Sequence, residues 1–174
     1  MDSHAMNEEK VLTEATLCFL RRDNEVLLAR KNKKIGAGKW NGYGGGVESG
    51  ELVCDAVVRE LFEESGVRTD AGVLEKVAEL YFHNTMKDGV AFTCRVHVYV
   101  VWVWEGVPRA SDEMGAPTWF SVDRVPYEDM MPADRDWLPH VLAGHRILAH
   151  AYVGPYQKEK TQPTTVTMMA TFDE

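Results

Sequence analysis

The sequence predicts a layered α/β (or α+β) fold built on a mixed, twisted β-sheet with few helices. Three observations support this: short runs have the two-residue period of strands, one segment has the period of a helix, and glycine-rich stretches separate them. The 174 residues, 45% hydrophobic and 26% charged, suffice for one domain with a substantial core. We expect that domain at residues 6–174 and interpret residues 1–5, MDSHA, as an artificial extension.

The N-terminal part is expected to form a hairpin followed by a loop. Residues 11–20 and 25–29 are strand-like runs on either side of the polar sequence RRDN. Residues 31–46, KNKKIGAGKWNGYGGG, contain six glycines and four lysines. A backbone so rich in glycine can approach a ligand closely, which makes this loop a candidate binding element.

Residues 51–65 have helical spacing. Ser49 is expected to cap the start of the helix and Gly66 to adopt the left-handed conformation at its end. The apolar residues that share one stripe of this helix are Cys54, Val57, Val58, Leu61 and Phe62. The stripe should pack on the sheet, which leaves the opposite face free for chemistry.

The rest of the chain continues the mixed pattern. The expected elements are strands at 73–82, 91–104 and 118–121, a helix at 134–143, and strands at about 146–153 and 164–172. In the second of these strands, apolar residues alternate strictly from Phe92 to Trp104. The order of strands and helices predicts a layered sandwich.

Charge and cysteine content exclude several functions. The formal net charge of −8 argues against a nucleic-acid polymer or an anionic membrane as partner, because both need a basic face. No run reaches the length of a membrane span. The cysteines Cys18, Cys54 and Cys94 lack the spacing of a zinc site and indicate neither a disulfide framework nor an oxidising compartment. We expect a cytoplasmic monomer or dimer that binds a small molecule.

Three glutamates stand out on the expected helix. Glu60, Glu63 and Glu64 are spaced i, i+3 and i+4, so their side chains should converge on one patch. Three like charges there need a positive partner, either Arg59 or a hard divalent cation such as Mg²⁺. An exposed acidic helix face without a ligand is the alternative interpretation.

The surroundings of these glutamates resemble a known motif. Gly45, Glu51 and the run RELFEESGV at 59–67 fill every fixed position of the Nudix box. The resemblance implies a Nudix-type α/β/α sandwich with a loop-helix-loop metal site. It also implies hydrolysis of a nucleoside diphosphate linked to another group, with Mg²⁺ as cofactor and Mn²⁺ as a substitute. By the same resemblance, Glu51 and Arg59 orient the helix through a salt bridge.

Further segments resemble the MutT-type branch, whose enzymes cleave oxidised purine nucleoside triphosphates such as 8-oxo-dGTP to monophosphate and pyrophosphate. These segments are IGAGKWNGYGG at 35–45, SDEM at 111–114 and WFSVDRVPYEDMMPADRDWLP at 119–139. The metal ligands implied by resemblance are Gly44 (through its carbonyl), Glu60, Glu63, Glu64 and Glu113. The implied catalytic residues are Arg59, Glu63, Glu64 and Glu113, with Glu113 as a further ligand or the general base. The implied substrate-binding residues are Thr16, Lys31, Asn41, Met131 and Asp134.

Each base contact also has a simpler interpretation, and the chain departs from the branch. Asn41 could close a glycine turn, and Asp134 could cap a helix. Where the branch commonly has Trp-Pro-Asp-Asp, this chain has Met131-Pro132-Ala133-Asp134, and Ile35 replaces a Phe. A stacking plate and one of two acids are therefore missing. Without that second acid we expect Asp134 to act as an ordinary acceptor, and the preference for 8-oxo-dGTP to be reduced.

Two other functions stay open at this point. Nudix hydrolases of ADP-ribose, dinucleoside polyphosphates or nucleotide sugars share the same box. A non-catalytic Nudix module that senses a nucleotide is the second alternative. The presence of all four box glutamates favours an enzyme, because a binding module does not need them.

Overall fold

The computed structural model describes residues 11–172, and the expected extension at residues 1–5 lies outside them. The strands are β1 (Glu14–Arg22), β2 (Glu25–Arg30), β3 (Trp40–Asn41), β4 (Glu75–Thr85), β5 (Ala91–Val101), β6 (Thr118–Ser121), β7 (Arg146–Val153) and β8 (Lys160–Met169). The helices are α1 (Val53–Ser65) and α2 (Asp134–Leu142). Short 3₁₀ turns lie at Ala71–Val73, Val122–Arg124, Tyr127–Asp129 and Pro155–Gln157.

The strands form one mixed sheet. Its order is β3-β2-β1-β5-β4-β7-β8, and β6 pairs with β2 beside this path. β1 runs parallel to β5, and β4 runs parallel to β7, whereas the other pairs are antiparallel. Crossovers of this kind need connections that pass over the sheet faces, and α1 and α2 lie in such connections. The predicted mixed sheet is confirmed.

The two helices cover opposite faces of the sheet, because neighbouring residues of a strand point to opposite sides. Phe19 of β1 packs with Trp137 of α2, with ring centroids 6.2 Å apart. Its neighbour Leu20 belongs to the other core, which contains Val57 and Leu61 of α1. The expected α/β/α sandwich is thereby confirmed.

β5 differs from the expected strand in its length and in its burial. It ends at Val101, and Trp102 beyond it is 46% exposed with the Arg21 guanidinium 4.9 Å from its ring centroid. Val98 packs in the α2-side core, whereas Tyr99 packs in the α1-side core. The alternation of residue types therefore does not become an alternation of burial, because this central strand is covered on both faces.

Helix α1 begins later than expected. Leu52 is its N-cap residue and makes no side-chain capping hydrogen bond, so the expected cap at Ser49 is wrong. Phe62 is 41% exposed and lies under the Arg68 guanidinium, so it does not belong to the packed stripe. Gly66 ends the helix at φ 76°, as expected.

Across the described residues, none of the helices has the length and apolar character needed to cross a bilayer.

Candidate active site

Three glutamates meet beside the α1-side core. Glu60, Glu64 and Glu113 each contribute one carboxylate oxygen, and these three oxygens lie within 4.8 Å of one another. Glu60 and Glu64 are one helical turn apart on α1, whereas Glu113 comes from the loop between β5 and β6. We call these three residues the acidic cluster.

Glu64 is the buried member of the acidic cluster, with only 4% of its surface exposed. The backbone N–H of Gly44 donates a 2.7 Å hydrogen bond to its Oε1. Burial, together with the negative charges of Glu60 and Glu113, raises the pKa of Glu64 to about 8, against the opposing effect of the Gly44 bond. In the metal-free protein this carboxyl group therefore tends to keep its proton.

The glycines before α1 allow this close packing. A Cβ on Gly44 would lie 1.9 Å from the Thr16 carbonyl oxygen, and a Cβ on Gly45 would lie 2.5 Å from Oε1 of Glu60. Thr16 in turn fixes the loop, because its N–H donates to the Gly45 carbonyl over 2.8 Å. The backbone thus comes within reach of the acidic cluster at a distance that only glycine permits.

Arg59 organises the outer side of the helix. Its Nε and Nη2 donate to the two oxygens of Glu51 over 2.8 and 2.9 Å, which forms a bidentate pair. Its Nη1 donates to Glu60 over 2.9 Å and to Glu63 over 3.4 Å. This agrees with the implied role of Glu51 and Arg59 in orienting the helix.

The structure separates Glu63 from the other two box glutamates that the spacing predicted to converge. The Glu63 side chain is 55% exposed and lies on the Arg59 side of the helix. Among residues 11–172, the carboxylates close enough together to hold one metal ion are those of Glu60, Glu64 and Glu113. The role of Glu63 as a ligand stays a prediction.

Sequence reasoning did not predict how Glu113 is held. The Asn32 side chain donates to the carbonyls of Ser111 and Asp112, both over 3.3 Å, and its backbone N–H donates to the Glu113 carbonyl over 2.8 Å. The Lys34 Nζ lies 3.8 Å from Glu113 Oε1. These contacts join segments about eighty positions apart, so no local pattern could have shown them.

The acidic cluster fits a divalent cation. Its ligand atoms are all carboxylate oxygens, the type of ligand that Mg²⁺ and Mn²⁺ prefer, and they are close enough for one ion to bridge them. Burial is the main reason why the pKa of Glu64 is raised, and the negative charges of Glu60 and Glu113 repel its ionised form as well. A bound cation would relieve that repulsion.

Lys31 connects the acidic cluster to the segment expected to hold the base. Its pKa is lowered by burial, whereas the negative charges of Glu64 and Glu113 act in the opposite direction. A Cβ on Gly36 would lie 2.9 Å from the Met131 sulfur and 3.6 Å from Cδ of Lys31. Loop 31–39 therefore places the Met131 segment beside a lysine that the acidic cluster influences.

The two expected base contacts already have partners within the protein. Oδ1 of Asn41 accepts from the Gly42 N–H over 2.8 Å, which is the simpler interpretation of this residue. Asp134 accepts from the Met131 N–H and from Nε1 of Trp137, both over 3.2 Å. The alternative in which Asp134 caps α2 is wrong, since Asp134 is the first helical residue and Ala133 is the N-cap.

Both oxygens of Asp134 accept hydrogen bonds, as expected of an acceptor, but the pKa of its carboxyl group is not that of an ordinary one. Its side chain is buried, with 5% of the residue exposed. Burial raises the pKa of Asp134 to about 7, although the bonds from Trp137 and Met131 favour the ionised form. A second acid at Ala133 is therefore not needed to keep a proton on this carboxyl group near neutral pH.

Comparisons with known proteins agree with this geometry. A family model described as the NUDIX domain matches residues 11–141. The chain is 38% identical over 135 residues to the oxidized purine nucleoside triphosphate hydrolase of Danio rerio, and 37% identical to its namesake from Mus musculus. Each match covers 78% of this chain and 83% of the relative.

Solved structures have the same fold. The MutT protein of Bacillus halodurans superposes with a TM-score of 0.73 at 23% identity, covering 89% of this chain and 97% of that one. The ORF135 protein of E. coli gives a TM-score of 0.61 at 28% identity, with 76% and 89% covered. Enzymes of this family generally use a divalent metal ion. Given its matched domain, its relatives and its acidic helix, this chain belongs to the Nudix hydrolase family.

Proposed function

We propose that the protein is a Mg²⁺-dependent pyrophosphohydrolase of purine nucleoside triphosphates, including oxidised ones such as 8-oxo-dGTP. It releases the nucleoside monophosphate and pyrophosphate. The observation that carries the proposal is that loop 31–39 joins the acidic cluster to the Met131–Asp134 segment. The chain has this arrangement and is 37 to 38% identical to relatives named for oxidised purine nucleoside triphosphates.

The phosphate end of the site belongs to the acidic cluster. Glu60, Glu64, Glu113 and the Gly44 carbonyl would hold the cation, and Glu63 would complete the set from the exposed side of α1. Mg²⁺ or its substitute Mn²⁺ would neutralise phosphate oxygens and lower the pKa of a water molecule.

The protein's own residues then have separate tasks. We assign Lys31 to the triphosphate, because its ammonium group is partly shielded from water and the charges of Glu64 and Glu113 act to raise its pKa, which favours its cationic form. Arg59 keeps Glu60 and the start of α1 in place. Glu113 comes from outside the helix, so we assign its carboxylate as the base that removes a proton from the attacking water.

The end of the site that binds the purine nucleobase is formed by Thr16, Asn41, Met131 and Asp134. Met131 offers a flexible apolar contact instead of an aromatic plate. Asp134 can present either a carboxyl or a carboxylate near neutral pH, because burial raises its pKa to about 7. One side chain can then donate to one purine edge and accept from another, which supports a broad purine preference.

The domain organisation, the oligomeric state and the cellular compartment of the enzyme are part of the same proposal. We assign residues 6–174 to a single domain that works as a monomer or dimer in the cytoplasm. The cysteines Cys18, Cys54 and Cys94 carry free thiols, which persist in a reducing compartment.

The test is a substrate panel with product analysis. It compares 8-oxo-dGTP, dGTP, dATP and dCTP with ADP-ribose, a dinucleoside polyphosphate and a nucleotide sugar, each with Mg²⁺ and with excess EDTA. We expect metal-dependent turnover that favours the purine triphosphates and yields pyrophosphate. Glu64→Gln should abolish turnover, whereas Glu159→Gln, at an exposed position in the β7–β8 connection, should not.

Other results would redirect the proposal. Faster turnover of ADP-ribose or another diphosphate derivative would assign a different Nudix substrate. Binding of nucleotides without turnover would indicate a sensing module. Full activity in excess EDTA would refute the metal site itself.

A further inference from the structure

The turn that carries Glu113 is closed by hydrogen bonds between its first and last residues. Within residues 111–114, the Ser111 N–H donates to the Met114 carbonyl over 2.8 Å, and the Met114 N–H donates back to Oγ of Ser111 over 3.2 Å. Met114 itself is 1% exposed and forms an antiparallel bridge with Lys31. Glu113 is the residue of this turn that belongs to the acidic cluster.

Asn32 fastens this turn to loop 31–39 from outside. Its side-chain amide has two N–H groups and faces two carbonyls, those of Ser111 and Asp112, each at 3.3 Å. Only an amide matches this pair of acceptors at such a short reach, because a carboxylate has no donor and a hydroxyl has one. The backbone N–H of Asn32 adds a third bond, to the Glu113 carbonyl over 2.8 Å.

The loop on which Asn32 lies is itself closed. The Gly38 N–H donates to the Lys31 carbonyl over 2.7 Å, and the Lys31 N–H donates to the Lys39 carbonyl over 2.9 Å. Lys34 holds a left-handed backbone, with φ 65°, and its Nζ lies 3.8 Å from Glu113 Oε1. Asn32 therefore attaches the Glu113 turn to a loop with a defined shape.

The hydrogen bonds from Asn32 help to keep the Glu113 turn in its position. The Glu113 side chain is 45% exposed, so packing alone does not hold it. Its carboxylate nevertheless lies within 4.8 Å of two others, and like charges at that distance repel. The hydrogen bonds from Asn32 to this turn oppose that repulsion.

We propose that Asn32 is a positioning residue of the active site, whose side-chain amide holds the turn 111–114 so that Glu113 stays with Glu60 and Glu64. This inference rests on the proposed function, in which Glu113 serves the metal ion. In this proposal Asn32 acts through Glu113, by way of its bonds to the turn 111–114. Loop 31–39 thereby sets the geometry of the metal site as well as that of the substrate pocket.

The test uses Asn32→Ala and Asn32→Asp in the full chain. Asn32→Ala removes the two donors, and Asn32→Asp replaces them with oxygens that repel the two carbonyls, so its effect should be larger. Asn24→Ala is the control, because Asn24 is an exposed asparagine in the β1–β2 turn. Melting curves of all variants confirm that the comparison is made between folded proteins.

Two readouts separate positioning from general damage. For Asn32→Ala, we expect the kcat to fall and the Mg²⁺ concentration for half-maximal rate to rise, each by about fivefold, the worth of roughly one hydrogen bond. The KM for the nucleotide should stay unchanged. Binding of Mn²⁺ measured by electron paramagnetic resonance without any nucleotide should weaken by a similar factor.

A double-mutant cycle with Glu113→Gln decides whether Asn32 works through Glu113. If it does, Asn32→Ala should cost nothing further in the Glu113→Gln background. An equal cost in both backgrounds, a wild-type Mn²⁺ affinity in Asn32→Ala, or a rise in KM alone would overturn the proposal. Because the Mn²⁺ arm needs no substrate, it remains decisive even if the panel finds a different substrate or none.

Discussion

The Gly44 N–H donates a 2.7 Å hydrogen bond to the Glu64 carboxylate, across the junction between the glycine loop and α1. This bond joins the most buried acid of the cluster to a residue whose own carbonyl is a proposed metal ligand. The loop and the helix therefore form one unit, and disturbing the loop should disturb the acid.

Gly44→Ala tests this unit. A Cβ there would lie 1.9 Å from the Thr16 carbonyl oxygen, so the backbone must move. We expect the free energy of unfolding to fall by at least about 2 kcal/mol, measured by urea denaturation in EDTA. Gly154→Ala is the control, since its Cβ would meet nothing closer than 3.7 Å and its φ is −82°. Equal stability of the two variants would contradict the close approach described here.

The raised pKa of Glu64 predicts how the metal-free protein responds to pH. Its folded pKa, about 8, lies above the value of 4.5 expected when unfolded, so the folded state keeps a proton that the unfolded chain loses. Stability should therefore decrease by a few kcal/mol (order of magnitude) as the pH rises from about 4.5 to about 8. Thermal melts in EDTA across that range measure the slope.

Glu64→Gln should flatten this slope, whereas Glu63→Gln, one position away and more than half exposed, should leave it in place. Saturating Mg²⁺ should oppose the loss, because the ion binds the ionised carboxylates preferentially. An identical slope in the wild type and in Glu64→Gln would show that another group is responsible.

Of the three helix glutamates that the spacing predicted to converge, Glu60 and Glu64 do so. Glu60 and Glu64 lie one turn apart, and a helical period puts such residues together whatever surrounds them. The sequence also offered Arg59 as a positive partner, and the Arg59 Nη1 donates to Glu63 over 3.4 Å. It could not predict that Glu63 would lie outside the acidic cluster, because the direction of a side chain on one helix depends on its partners. The resemblance alone, and no local pattern, pointed to Glu113.

Burial of individual side chains was the property that the sequence predicted least well. Asp134 follows Ala133 at the start of a helix, and this context gives no sign that Trp137 and Met131 enclose it. Likewise, Trp102 continues a regular alternation but lies beyond the end of β5 and is exposed. The bonds to Asp134 are local, but its burial also depends on how α2 packs on the sheet, where Trp137 contacts the distant Phe19.

Arg59→Lys should reveal how much the paired guanidinium stabilises α1. A lysine cannot form the bidentate pair with Glu51 while also bonding Glu60. We expect a loss of about 1–3 kcal/mol, because these side chains are largely buried. The same change at Arg22, whose pair with Glu25 is exposed, should cost less than about 1 kcal/mol. Urea denaturation of both variants makes the comparison, and equal losses would contradict it.

Asp134 should make the choice of purine depend on pH. Burial raises its pKa to about 7, so the carboxyl group donates a hydrogen bond in more acidic solution and only accepts in more alkaline solution. Purines whose edges offer an acceptor should be favoured below that pH, and those that offer a donor above it. The ratio of kcat/KM for 8-oxo-dGTP and dGTP, measured on both sides of neutrality, should therefore change.

Asp134→Asn should remove that pH dependence and flatten the ranking of purines, while Mg²⁺-dependent turnover persists. Some stability will be lost, about 1–3 kcal/mol, because an amide oxygen cannot accept from both Met131 and Trp137 as two carboxylate oxygens do. Asp136→Asn is the control, since Asp136 lies on the same helix but bonds Lys160 and Thr164. Removing its charge should leave a pH transition in place and shift it slightly downward, because Asp136 helps to raise the pKa of Asp134. A ranking that is the same at every pH in the wild type, or unaltered in Asp134→Asn, would place the base elsewhere on the protein.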